Sequence, residues 1–99
     1  MLTIKKEKKE NDLTIILEGR LDTTTAPQLD DELKMSLDNV EELTFDFREL
    51  EYISSAGLRV LLTAQKRMNK QGSMKITGAN ESIKEIFEVT GFVDILTIV

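Results

Sequence analysis

Strand-like and helix-like stretches alternate along most of this chain, and the alternation limits the folds open to it. In residues 13–17 and again in residues 43–47, apolar side chains occupy every second position, as in a strand with one buried face. Other stretches carry apolar side chains every three or four residues, the spacing of an amphipathic helix. The predicted order is β-β-α-β-α-β-α, with "ILTIV" at the end as a last strand or an extended docking segment.

Helices that follow single strands need crossover connections, so some strands are expected to pair in parallel. The first two strands are expected to form an antiparallel hairpin, because only a short turn at Asn11-Asp12 separates them. The sequence therefore predicts an α/β fold. Its mixed sheet is expected to have about four to five strands, with an N-terminal antiparallel hairpin, and to be covered by three or more helices. Residues 1–99 are expected to form a single domain.

Local signals place the helix ends. Pro27 suits the first turn of the first helix, and Gly72 lies where the second helix would end. Ser82 with Glu85 three residues later matches a capping box for the third helix, and Gly91 is expected to end it.

The first strand runs from Leu2 and Ile4 and breaks into "KKEKKE". Two glutamates interrupt this basic tract, and lysine is common on exposed edge strands. We interpret the tract as a solvated sheet edge and not as a membrane or nucleic-acid contact.

Composition excludes several classes of function. Without cysteine the chain has no disulfide, no thiolate metal site and no cysteine nucleophile. Without histidine it lacks the usual general base of an activated serine and the commonest metal ligand. A net charge of −5 argues against nucleic acid. No apolar run is longer than three residues and no signal-peptide core is present, so we expect no membrane span and a cytoplasmic protein.

Two hydroxyl-rich segments, "LDTTTAP" and "ISSAG", each follow a predicted strand and precede a predicted helix. In open sheets, binding surfaces collect outside the carboxyl ends of the strands, so both segments are expected at one functional edge. The candidate partner-binding residues are Asp22, Thr23, Thr24, Ser54, Ser55, Ala56 and Gly57.

The two serines have two possible roles. Either Ser54 or Ser55 is able to cap the following helix by accepting a backbone hydrogen bond. A serine exposed at that point is also able to carry a phosphate, whose negative charge would change the affinity of a partner strongly. Capping and phosphorylation can coexist because two serines are available.

Three segments resemble the STAS domain (sulphate transporter and anti-sigma factor antagonist), in particular the compact bacterial anti-sigma factor antagonists. They are "GRLDTTTAPQL", "LTFDFRELEYISSAGLRVLL" and "GSMKITGANESIKEIFEVTGF". The resemblance implies that Ser55, two residues before Gly57, is the phospho-acceptor, with Ser54 as a weaker alternative, and that Asp22 lies beside it. One departure is Ser54, where many antagonists have an aspartate, so the charge next to the acceptor is lost.

The resemblance implies partner switching. The unphosphorylated form would bind an ATPase-type anti-sigma factor and free a sigma factor. That serine kinase would supply its own ATP and Mg²⁺ and phosphorylate Ser55, like-charge repulsion would eject the antagonist, and a PPM-type serine phosphatase would reset it. This protein would then be a monomer when free, not an enzyme, with no metal or cofactor of its own.

Two alternatives stay open at this point. One is a constitutive STAS interaction or scaffold subunit, for example of a transport or stress-sensing assembly, without phosphorylation control. The other is a small-ligand or nucleotide-binding domain, against which no G-x-x-x-x-G-K-[ST] or G-x-G-x-x-G motif is present.

Overall fold

The computed structural model describes all 99 residues. The strands are β1 (Leu2–Lys9), β2 (Asp12–Leu21), β3 (Glu42–Ile53) and β4 (Ser73–Thr77). The helices are α1 (Ala26–Ser36), α2 (Ser55–Gln71) and α3 (Glu81–Thr90), and a 3-10 turn follows at Phe92–Asp94.

One mixed sheet carries the fold, with the strand order β1-β2-β3-β4. β1 and β2 form the antiparallel hairpin, and β2, β3 and β4 are parallel. The predicted fold class is therefore confirmed. The hairpin turn lies at Glu10 and Asn11, one residue earlier than predicted, and β1 continues through the lysine tract instead of breaking there. Residues 5–9 are all exposed on this edge strand, and so is Glu10 in the turn, as the solvated-edge interpretation requires.

β3 is longer than the strand it pairs with. It uses 12 residues where β2 uses 10, and the pairing between them shifts register twice, as β-bulges require. The buried positions of β3 consequently change from every second residue (Leu43, Phe45, Phe47) to every third (Leu50, Ile53). These bulges carry the carboxyl end of β3 level with that of β2, where Leu21 pairs with Ile53.

The core is a single cluster of 26 buried apolar residues. α1 contributes Leu29 and Leu33 to it, and both are almost completely removed from solvent. The ring of Phe47 in β3 stacks on that of Phe87 in α3, with 6.5 Å between centroids. One continuous apolar layer thus holds the helices on the sheet. Burial of apolar surface of this kind is the largest favourable contribution to folding.

The start of α3 differs from the predicted capping box. Asn80, not Ser82, is the N-cap, and its side-chain oxygen accepts a hydrogen bond from the backbone N–H of Ile83 at 2.8 Å. The amide nitrogen of Asn80 also donates to the carbonyl of Leu50 at 3.2 Å, which ties the helix to β3. Gly91 ends α3 in the left-handed conformation, with φ at 79°, as predicted.

The last five residues do not form a full strand. Only Ile98 makes a parallel bridge, to Ile76 of β4. Two backbone hydrogen bonds of 2.9 Å hold it: the N–H of Ile76 donates to Thr97, and the N–H of Val99 donates to Ile76. The sheet therefore has four strands and one extra bridge.

None of the helices is both long and apolar enough to cross a membrane.

Candidate functional site

The two hydroxyl-rich segments meet at the carboxyl edge of the sheet. Leu21 pairs with Ile53 in the last rung between β2 and β3, so Asp22 and Ser54 leave the sheet side by side. The backbone N–H of Ser54 then donates to the carbonyl of Leu21 at 2.9 Å. The adjacency expected from the topology is confirmed.

The structure separates the two serines. Ser54 is the half-buried N-cap of α2, with extended backbone angles, and its hydroxyl accepts a hydrogen bond from the N–H of Gly57 at 3.4 Å. Ser55 is the first residue of α2 and is exposed. Its hydroxyl makes no hydrogen bond within the protein, whereas that of Ser54 is engaged in the cap.

Gly57 allows α2 to start close to the sheet. It is buried, and a Cβ placed there would lie 2.8 Å from Cγ of Leu21 and 2.9 Å from Cγ1 of Ile53. These separations are too short for carbon atoms in contact. Gly57 therefore acts beneath the surface by setting the position of Ser55, while Ala56 beside it is only half-buried.

Asp22 organises the loop that leads from β2 to α1. Its Oδ1 accepts hydrogen bonds from the Thr24 hydroxyl at 2.8 Å, the Thr24 N–H at 3.0 Å and the Thr25 N–H at 3.1 Å. These contacts form a side-chain turn of the kind aspartate favours. Thr23 and Thr24 are exposed at the tip of this loop, next to the start of α2.

The same contacts stabilise the charge of Asp22. The hydrogen bond from the Thr24 hydroxyl is the largest of the effects that lower the pKa of Asp22 from its ordinary value of 3.8, and the backbone N–H groups of Thr25 and Thr24 add to it. Partial desolvation acts in the opposite direction. Asp22 therefore presents a carboxylate at neutral pH, beside the start of α2.

Several residues at this edge were not predicted from the sequence. The buried Thr25 hydroxyl accepts from the N–H of Asp22 at 2.8 Å and donates to the carbonyl of Arg20 at 2.9 Å, which locks the loop. The Arg20 guanidinium lies over the Tyr52 ring, 4.4 Å from its centroid. For Thr25, the spacing D-x-x-T from Asp22 resembles a helix cap and is the sequence signal that could have predicted its role. No such signal exists for Arg20 and Tyr52, which become neighbours only through the bulged register of β2 and β3.

A groove of about 290 Å³ runs between α1 and α2, and Ala56, the residue that follows Ser55, is part of its lining. Thr23, Ala26 and Asp30 lie on one side of it. Ala56, Arg59 and Thr63 lie on the other. The edge thus combines an exposed hydroxyl, a carboxylate held in a rigid loop and a cleft between two helices.

Comparison with known proteins places this fold in a family. A model of the STAS domain matches residues 3–99. The chain belongs to the STAS domain family. The anti-sigma-B factor antagonist of Bacillus subtilis is 29% identical to it over 98 residues, covering 98% of this chain and 90% of the relative. The anti-sigma-B factor antagonist of Listeria monocytogenes is 31% identical over 97 residues, covering 94% of this chain and 83% of the relative.

Solved structures of the anti-sigma factor antagonist SpoIIAA share the architecture. The anti-sigma factor antagonist SpoIIAA in its unphosphorylated form superposes with a TM-score of 0.77 at 15% identity, covering 98% of this chain and 87% of that one. The phosphorylated form of the Bacillus SpoIIAA superposes with a TM-score of 0.76 at 16% identity, covering 98% and 91%. The mixed sheet, N-terminal hairpin and three helices described above are thus the STAS fold.

Proposed function

We propose that this STAS protein is an anti-sigma factor antagonist in a partner-switching pathway. In its unphosphorylated form it binds an ATPase-type anti-sigma factor that is also a serine kinase, and so releases a sigma factor. Phosphorylation on Ser55 abolishes the binding, and a PPM-type serine phosphatase restores it. The protein is the substrate and the switch in this scheme, not an enzyme.

The proposal rests mainly on one observation, which is that the hydroxyls of the two serines differ in exposure and in hydrogen bonding. Ser54 caps α2, which leaves the Ser55 hydroxyl exposed and without a partner on the rigid first turn of that helix. A kinase needs an accessible hydroxyl, and a phosphate there changes surface charge without disturbing the core. The names of the relatives and the existence of a phosphorylated form of SpoIIAA support the same scheme.

The covalent step needs only what the partner supplies. The Ser55 oxygen attacks the γ-phosphorus of ATP, the bond to the bridging oxygen breaks and ADP leaves, while the hydroxyl proton passes to a base of the kinase. The phosphatase later transfers the phosphoryl group to water, which releases inorganic phosphate and regenerates the hydroxyl. The surface that the partner contacts around Ser55 consists of Asp22, Thr23, Thr24 and Ala56.

The test has two steps. First, wild-type protein and Ser55→Asp are used to capture partners from lysate of the source organism with ADP and Mg²⁺, and the captured proteins are identified by mass spectrometry. Ser82→Asp is the matched control, since it introduces the same charge at another exposed serine. We expect an ATPase-type kinase with wild type and Ser82→Asp and none with Ser55→Asp.

Second, the purified kinase is incubated with ATP, Mg²⁺ and each serine variant. Ser54→Ala should still take up one phosphate and Ser55→Ala none. If wild type and Ser55→Asp retain the same partners equally, the protein is a constitutive scaffold subunit and Ser55 is only a structural residue.

A further inference from the structure

The exposed face of α2 has a charge pattern unlike that of the rest of the chain. α2 contains four basic residues and no acidic one, although the net charge of the protein is −5. Ser55, Arg59 and Lys66 are all exposed, and their spacing places them along one stripe of the helix. Arg59 is the cation of this stripe that follows Ser55 by a single turn.

Arg59 differs from the other arginines in having no carboxylate partner. Arg48 pairs with Asp46 at 2.7 Å and Arg67 with Asp38 at 2.6 Å, while Arg20 lies 3.8 Å from a carboxylate oxygen of Asp22. Arg59 is exposed, and its guanidinium takes part in none of the ion pairs of the protein; only its backbone carbonyl accepts a side-chain hydrogen bond, from Thr63. Asp30 lines the same groove as Arg59, but its carboxylate is paired with Lys34 at 3.1 Å.

We infer that Arg59 binds the phosphate of phospho-Ser55. The inference rests on the proposed function, because it assigns a residue to the phosphorylated state of that site. On a helix the Cβ atoms of residues four apart are separated by roughly 6 Å, and side chains tilt towards the N-terminus, so the Arg59 side chain leans towards Ser55. The planar guanidinium matches two phosphate oxygens at once, which a lysine cannot do.

This contact would make the switch act twice at one place. Before modification, Arg59 is a free cation beside the proposed docking surface. After modification, the guanidinium is occupied and the added group carries a charge of about −2 near pH 7. One phosphorylation therefore removes an available cation and adds an anion, which enlarges the change that a partner meets.

The test uses the full chain with phosphoserine incorporated at position 55 during translation, so no kinase is needed. The phosphate of wild type and of Arg59→Gln is titrated by phosphorus-31 NMR. Loss of the guanidinium should raise the second pKa of the phosphate by roughly 0.3 pH units, the shift that matches a helical ion pair of this spacing. In wild type the Nε–H resonance of Arg59 should move with the same midpoint as the phosphate.

Two variants make the result specific. Arg59→Lys keeps the charge and should restore part of the difference, whereas Lys66→Gln removes an exposed cation of the same stripe and should leave the phosphate pKa unchanged. Equal values in wild type and Arg59→Gln, or an equal rise with Lys66→Gln, would overturn the inference. Because the phosphate is installed without a kinase, this outcome is independent of whether any kinase modifies Ser55.

Discussion

At the scale of single residues, Asp22 is the side chain on whose charge the loop before α1 depends. Hydrogen bonds from Thr24 and Thr25 hold its pKa below the ordinary value of 3.8, so folding favours the ionised form. The resulting stabilisation is fully present above pH 3.8 and is lost as the pH falls through the lower pKa of the folded state. Asp22→Asn keeps the acceptor oxygen but removes this dependence.

We therefore expect wild type to be more stable than Asp22→Asn at neutral pH, with a difference that shrinks below pH 3.8. Urea unfolding of both proteins over an acid pH series measures it. Asp46, whose pKa Arg48 also lowers, titrates in both proteins and cancels in the comparison. Thr24→Val removes the hydrogen bond that lowers the pKa of Asp22 most, so the stability of this variant should depend less on pH than that of wild type. A stability difference between wild type and Asp22→Asn that stays constant with pH would contradict the expectation.

At the scale of elements, the start of α2 depends on the absence of a side chain at Gly57. Alanine is the better helix former by about 1 kcal/mol, so propensity alone predicts that Gly57→Ala stabilises the protein. The contacts predict the opposite, because the new Cβ would meet Leu21 and Ile53 within 3.0 Å. Both side chains are almost completely buried and cannot move away freely.

We expect Gly57→Ala to lower the free energy of unfolding by roughly 1–3 kcal/mol, the usual range for overpacking. Denaturant unfolding followed by circular dichroism gives the value. Ala56→Gly in the same turn is the comparison: it should also destabilise, by about 1 kcal/mol at most, through propensity. A stabilised Gly57→Ala would mean that α2 shifts easily and that the position of Ser55 is not set by this contact.

The elements also show what a single sequence contains. The alternating apolar residues of β2 and of the first half of β3 predicted both strands, because burial of one face is a local pattern. The bulges of β3 were not predicted, since they depend on the length of the strand it pairs with. The capping box predicted at Ser82 was wrong, because Asn80, which also contacts Leu50 in β3, caps the helix two residues earlier.

The candidate site follows the same division. The topology predicted that the segments after β2 and β3 would meet, because the carboxyl ends of parallel strands share an edge. Which serine caps α2 depends on the residue where the helix begins, and that is set by the packing of Gly57 on Leu21 and Ile53. Thr25, Arg20 and Tyr52 acquire their contacts only in the folded loop and the bulged register.

At the scale of the whole molecule, charge is distributed unevenly. The chain is acidic, yet the exposed side of α2 carries Arg59, Lys66 and Lys70 without an acidic neighbour on that helix. A local positive field on a negative protein orients its encounters with an acidic surface, and the effect appears in the association rate more than in the dissociation rate. If the proposed kinase docks at the carboxyl edge of the sheet, where α2 begins, the positive charges of α2 should steer its approach.

We expect the double substitution Lys66→Glu and Lys70→Glu to slow association with the kinase about tenfold at low ionic strength, with a smaller change in the dissociation rate. Stopped-flow or surface binding at several salt concentrations separates the two rates, and the difference from wild type should fade as salt screens the field. The control is Lys8→Glu with Lys9→Glu, which makes the same change in net charge on the exposed edge strand β1 and leaves α2 unchanged. If both double variants slow association equally, net charge alone governs the encounter and α2 has no steering role; if only the α2 pair does, the partner approaches along the helix that carries Ser55.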